Sequence, residues 1–218
     1  MNLLHDIHKR SHEDMPAGEG GAPLIQYRWE FEQLYKEVEL HAKAMTEETT
    51  TYNILEIGSE RGGSLYYWLK LVGMYGGKVV SVDLPNGLYD VDYNVWENWF
   101  NHDNTSFGRI QGSSHSPLVK ESIEDSLHGE LFDFVFIDGD HTYAGIKQDF
   151  LLALELTNGY PSEKTRSIIA LHDICPHAKA GGSEVHRLWK EIVEAGYKTR
   201  VLMSKPNQDE RGIGCVYL

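Results

Sequence analysis

Two short segments carry side chains whose types and spacing could do chemistry. Asp138, Asp140 and His141 follow the apolar run FDFVFI, and His172 and Asp173 follow the apolar run SIIAL. Carboxylates beside an imidazole support two kinds of chemistry. An imidazole with a pKa of about 6.5 takes a proton near neutral pH and serves as a general base. Oxygen and neutral nitrogen ligands also hold a divalent metal, which acts as a Lewis acid on a bound hydroxyl. His141 is the candidate base; Asp138, His172 and Asp173 are the candidate metal ligands, for magnesium or manganese. The plainer alternatives are that His141 bonds its own loop and that the two acids cap turns. His115 and His177 read as single loop histidines, and His5, His8 and His12 as solvated residues of a polar chain start.

A second constellation is NILEIGSERGGS over 53–64. An apolar strand runs into a glycine-bearing turn and then a helix, so Gly58 serves a tight turn and Gly63 a close helix start. The spacing is GxxxGG rather than the GxGxxG of dinucleotide sites, and Glu56 precedes the first glycine by two. A carboxylate there repels a pyrophosphate and suits a cationic ligand such as S-adenosylmethionine, with its sulfonium and α-ammonium. Asp83 ends the next apolar run, VVSVD, where a carboxylate takes ribose hydroxyls. No Gly-Lys-Ser/Thr follows, so a P-loop is absent. Each acid alone is equally well read as a strand-end cap.

These residues need elements to bring them together. Phe31, Leu34, Tyr35, Val38, Ala42 and Met45 recur at helical spacing. From residue 52, strand-like runs (52–57, 78–83, 107–111, 132–138, 167–173) alternate with amphipathic helical patterns, one of them opened by Ser116-Pro117 as cap and first-turn proline. Val91, Val95 and Trp99 suggest a helix after the second run; Trp96, Trp99 and Phe100 there either wall a pocket or pack on the sheet. Two final runs, 199–203 and 213–218, have no helix between them and form a hairpin. The expected fold is α/β: a Rossmann-like, doubly wound, seven-stranded sheet, mostly parallel, with one antiparallel strand from that hairpin. Parallel neighbours then deliver all the candidate residues to one carboxyl edge. Residues 1–45 read as an N-terminal flap and helix, a substrate lid or oligomer contact, and 46–218 as the main domain.

The segments LEIGSERGGS, VVSVDLP, FVFIDGDHTYAGIKQDF, IIALHDI and GIGCVYL carry a resemblance. Over 52–218 the chain resembles class I S-adenosylmethionine-dependent methyltransferases, in the group of macrocin-type, cephalosporin-hydroxylase-like and catechol-type O-methyltransferases. The resemblance implies that Glu56, Gly58, Ser59 and Gly63 line the methionine end of the cofactor, with Asp83 on the ribose. It implies Gly112 and Ser113 beside the adenine, and Asp138 near the reacting centre. Magnesium-using relatives carry an acid after strand four and an acidic pair after strand five, which Asp138, His172 and Asp173 match with a histidine as the departure. Catechol-type relatives place a lysine base at the offset of His141. A methyl transfer to a small-molecule hydroxyl follows, on a sugar, a phenol or a natural-product intermediate.

Bulk properties agree with a soluble enzyme. Net charge is -13, with 33 acidic against 20 basic side chains, and no Lys or Arg run offers a grip on nucleic acid. Two cysteines without a CxxC, and no signal-like or membrane-length apolar stretch, point to a cytoplasmic protein. A small-molecule acceptor, no membrane and a homo-oligomer through the N-terminal helix are the expected partners. Two competing functions remain: a nicotinamide-dependent oxidoreductase on a similar sheet, and a non-catalytic cofactor-binding relative.

Overall fold

The computed structural model describes residues 24–47, 51–60, 62–85, 106–157, 167–176 and 182–218. The expected helix over 91–99 and the histidines at 5, 8, 12 and 177 lie outside them. The described elements are α1 (Arg28–Thr46), β1 (Ile54–Ile57), α2 (Gly63–Tyr75), β2 (Lys78–Asp83), β3 (Ser106–Gln111), α3 (Pro117–Ser126), β4 (Phe134–Ile137), α4 (Tyr143–Leu156), β5 (Ile168–His172), α5 (Val185–Glu194), β6 (Lys198–Leu202) and β7 (Ile213–Tyr217).

The strands form one sheet in the order β3-β2-β1-β4-β5-β7-β6. β1 to β5 pair in parallel, and β7 is antiparallel to both β5 and β6. The Rossmann-like fold read from the sequence is therefore the observed one. β1, β4 and β5 are buried along their whole length, which is why they read as continuous apolar runs: helices cover both faces. Alternate residues feed two cores. Ile54, Phe134, Phe136 and Ala170 meet α1 and α2; Leu55, Ile57, Val135 and Ile137 meet the helices of the other face. Edge strand β6 is mostly exposed and carries Lys198 and Arg200, which discourage further pairing.

Trp68 shows how the first core is held. Its ring packs on Phe31 of α1 at 5.2 Å and on Phe134 of β4 at 5.0 Å, tying helix to helix to sheet. α1 thus shares the core of the main domain. Pro117 opens α3 as expected, but the Ser116 hydroxyl makes no cap bond to it. Gly214 of β7 is a glycine because the Trp189 ring of α5 lies where its Cβ would stand.

Candidate functional site

The carboxyl edge opens into a cavity of about 860 Å³, a size that suits a small ligand. Gly58, Ser59, Gly63, Asp83, Gly112, Ser113, Asp138, His141, His172 and Asp173 all line it. Of the site residues expected from sequence, only Glu56 does not.

Glu56 is fully buried beneath the glycine turn. It accepts hydrogen bonds from Ser64 Oγ, from Ser59 Oγ at 3.0 Å and from Trp68 Nε1 at 3.3 Å. Burial pushes its pKa up to about 7, against those hydrogen bonds. The expectation that it faces the ligand is corrected: it shapes the turn from below, because three donors of its own neighbourhood enclose its carboxylate. Gly58, at φ 85, passes so close to the Asp138–Gly139 backbone that a Cβ would collide with the Asp138 carbonyl. The glycine serves the approach of two loops rather than only of a ligand.

Asp83 ends β2 at the cavity wall. Its Oδ2 accepts the Glu60 N–H at 2.6 Å and its Oδ1 the Leu84 N–H at 2.7 Å, leaving further lone pairs. Beside it, where the Gly112 N–H donates to the Asp83 carbonyl at 2.9 Å, the 112–115 turn is anchored by Asp149 of α4. Ser114 Oγ donates to Asp149 Oδ1 at 2.6 Å, and His115 Nε2 lies 3.2 Å from the same oxygen. Asp149 is fully buried and its carboxyl is raised by that burial.

The acids and histidines after β4 and β5 form one cluster around Asp138. His172 Nδ1 is 2.9 Å and His141 Nε2 3.1 Å from Asp138 Oδ1; Gln26 Nε2 donates to Asp138 Oδ2 at 2.7 Å. His141 Nδ1 stands 3.3 Å from Asp173 Oδ2. Burial alone would raise the Asp138 carboxyl, but the charges and hydrogen bonds of the two imidazoles hold it well below the usual carboxylate range. The Asp138 hydrogen bond raises the pKa of His141. For His172 burial works downward, and the Asp138 and Asp173 charges outweigh it to give a net rise. Asp173, Glu60 and Arg211, all lining the cavity, adopt left-handed φ values of 60, 45 and 58, each costing about 1–2 kcal/mol.

Metal binding does not fit this arrangement. Among the described residues no group of three or more His, Cys, Asp or Glu is placed to hold a metal ion. In the expected set Asp138, His172 and Asp173, His172 turns Nδ1 toward Asp138 and engages it by a hydrogen bond.

The sequence pattern missed Gln26, Glu30 and the β6–β7 loop. Glu30 is fully buried and accepts from Ser204 N, Gln208 Nε2 and Gly212 N. Arg211 donates to the Ile25 carbonyl and stacks on Tyr27 at 4.4 Å, and Tyr27 donates to Glu210. Ile25, Gln26, Glu210 and Arg211 thereby become one wall of the cavity. No local signal marks them, since each partner is remote in the chain.

The chemistry of the lining suits a cationic nucleoside. Glu60, Asp83, Asp138, Asp140, Asp173 and Glu210 face it against one arginine. The N-terminus of α2, at Gly63 and Ser64, also lines it and suits a ligand carboxylate.

Residues 55–174 match the family model described as a methyltransferase domain. No curated protein matches the chain. Among solved structures, the chain is similar to the O-methyltransferase from Bacillus cereus in complex with SAH, with 17% identity, TM-score 0.60, and coverage of 100% of this chain and 91% of that one. It is similar to the O-methyltransferase TomG from Streptomyces achromogenes, involved in tomaymycin synthesis and in complex with SAM, with 16% identity, TM-score 0.62, and coverage of 100% and 90%. It is also similar to CalS11, a calicheamicin methyltransferase, with 13% identity, TM-score 0.56, and coverage of 84% and 78%. At these identities the structures show a shared fold.

Proposed function

Because the chain belongs to the methyltransferase-domain family, whose model spans residues 55–174, we propose that it moves a methyl group from S-adenosylmethionine to the hydroxyl of a small-molecule acceptor. The observation that carries this reading is the acidic cavity between Asp83 and Asp138, on the same edge as the histidine cluster. When bound, S-adenosylmethionine supplies a methyl on a sulfonium, and its transfer to the acceptor oxygen leaves the neutral thioether S-adenosylhomocysteine.

The chain's own residues bind, orient and take the proton. Asp83 offers its remaining lone pairs to ribose hydroxyls, and the α2 N-terminus receives the amino-acid carboxylate. Gly112 and Ser113, held from behind by Asp149 through Ser114, flank the base. His141 is 41% exposed at its side chain, the most open member of the cluster that includes Asp138 and Asp173. Its Nε2–H is fixed on Asp138, and its Nδ1 makes the longer contact, to Asp173. An acceptor hydroxyl entering beside Nδ1 hands its proton there as the oxygen–carbon bond forms, and Asp138 balances the imidazolium. The proton balance closes within the Asp138–His141–Asp173 group, with no step assigned to a metal.

Calorimetry with S-adenosylmethionine and S-adenosylhomocysteine tests the premise. Both should bind, and Asp83→Asn should weaken each about tenfold, the effect of one lost charge-assisted hydrogen bond. Absence of heat and of a thermal shift with either ligand, with a shift on adding NAD, would transfer the site to nicotinamide chemistry.

A further inference from the structure

Asp138 is a carboxylate held by nitrogen donors from three separate parts of the chain. His141 and His172 share Oδ1, and Gln26 takes Oδ2 at 2.7 Å, the shortest of the three contacts. A divalent cation needs lone pairs pointing at it. A side-chain amide nitrogen has none to give, and turning the Gln26 amide over would set its oxygen against the carboxylate, so the donor orientation is fixed by its partner. His172 is 4% exposed and its Nδ1, already on Asp138, also lies 3.5 Å from Asp173 Oδ1, so one ring nitrogen faces both carboxylates. Gln26 is 8% exposed, and its segment is clamped on both sides, by Arg211 on Ile25 and by the Tyr27–Glu210 bond. The amide is therefore delivered to Asp138 by a segment that the β6–β7 loop holds.

We propose that the Asp138 centre is a cation-free site, in which Gln26 is the positioning residue that fixes the carboxylate where residue types alone suggest a divalent metal. Residues 24–27, before α1, then belong to the reaction site. The catalytic meaning of this arrangement rests on the methyl-transfer reading; the cation-free geometry does not.

The test is proton NMR of the full-length, nitrogen-labelled protein, reading the downfield imidazole N–H signals of His141 and His172 while manganese(II) is added to millimolar concentration. The expected result is that both signals keep their widths and that neither manganese nor magnesium gives a saturable calorimetric heat. Saturable paramagnetic broadening of either signal, or a saturable heat, overturns the proposal. Gln26→Leu provides an independent arm: both signals should shift, since the carboxylate that accepts from both imidazoles loses the donor on its Oδ2. Unshifted signals in that variant remove the positioning role. Failure of the native protein to bind S-adenosylhomocysteine, with the manganese result negative, would discard methyl transfer and leave the cation-free site standing.

Discussion

His141 hangs between Asp138 and Asp173 with one ring nitrogen toward each. A base must be neutral before it accepts a proton, and the Asp138 hydrogen bond raises this imidazole. Turnover should therefore fall, as pH decreases, through a value above the ordinary imidazole pKa of about 6.5. An NMR titration of the His141 ring proton should give the same value; a midpoint below the ordinary one would contradict the geometry. His141→Gln should cut turnover by roughly 10²–10⁴, the usual worth of a general base, without changing S-adenosylhomocysteine affinity. Glu56 carries a different expectation. Its folded pKa is raised from 4.5 to about 7 by burial, so ionising it destabilises the fold progressively as pH rises across that window, and no further above it. Glu56→Gln keeps acceptors for Trp68 and Ser64 and removes that pH dependence. Glu56→Leu orphans the buried Ser64 and Trp68 donors, while Ser59 keeps Ser81 as a partner, and should cost about 2 kcal/mol or more by denaturant unfolding. Equal stabilities for the two variants would show that the carboxylate does not organise the turn.

At the scale of elements, each strand of the site hands its last residues to a loop that another element must fix. Asp149 does this for the turn after β3 from the second turn of α4, reaching Ser114 and His115. The same carboxylate lies beside Gly139 of the turn after β4. Asp149→Leu should loosen the 112–115 turn and weaken S-adenosylhomocysteine binding about tenfold, with little effect on the Asp138 cluster, as read by calorimetry beside the imidazole signals. Unchanged affinity would free that turn from any part in binding. Gly58 and the Asp138 backbone show the same logic from the other side: the turn after β1 and the turn after β4 touch.

Across the described residues, one seven-stranded sheet with helices on both faces places every candidate residue but Glu56 on one rim. The described residues contain no helix long and apolar enough to cross a membrane. The strand and helix order, the parallel core, the C-terminal hairpin and the rim itself follow from local pattern: apolar runs of strand length, helical periodicity and glycines at turns are short-range signals. The identity of Asp83, Asp138, His141, His172 and Asp173 as rim residues was legible for the same reason, since strand ends can be read from where an apolar run stops. What each side chain does there was decided only by tertiary structure. Glu56 is enclosed by Ser64 and Trp68 of a helix that packs over it; His172 is turned onto Asp138 by its neighbours; Gln26 and Glu30 meet partners more than a hundred residues away. Sequence spacing states which groups can reach an edge, but the direction of a hydrogen bond depends on what fills the space behind it, and that space is defined only when distant elements have packed.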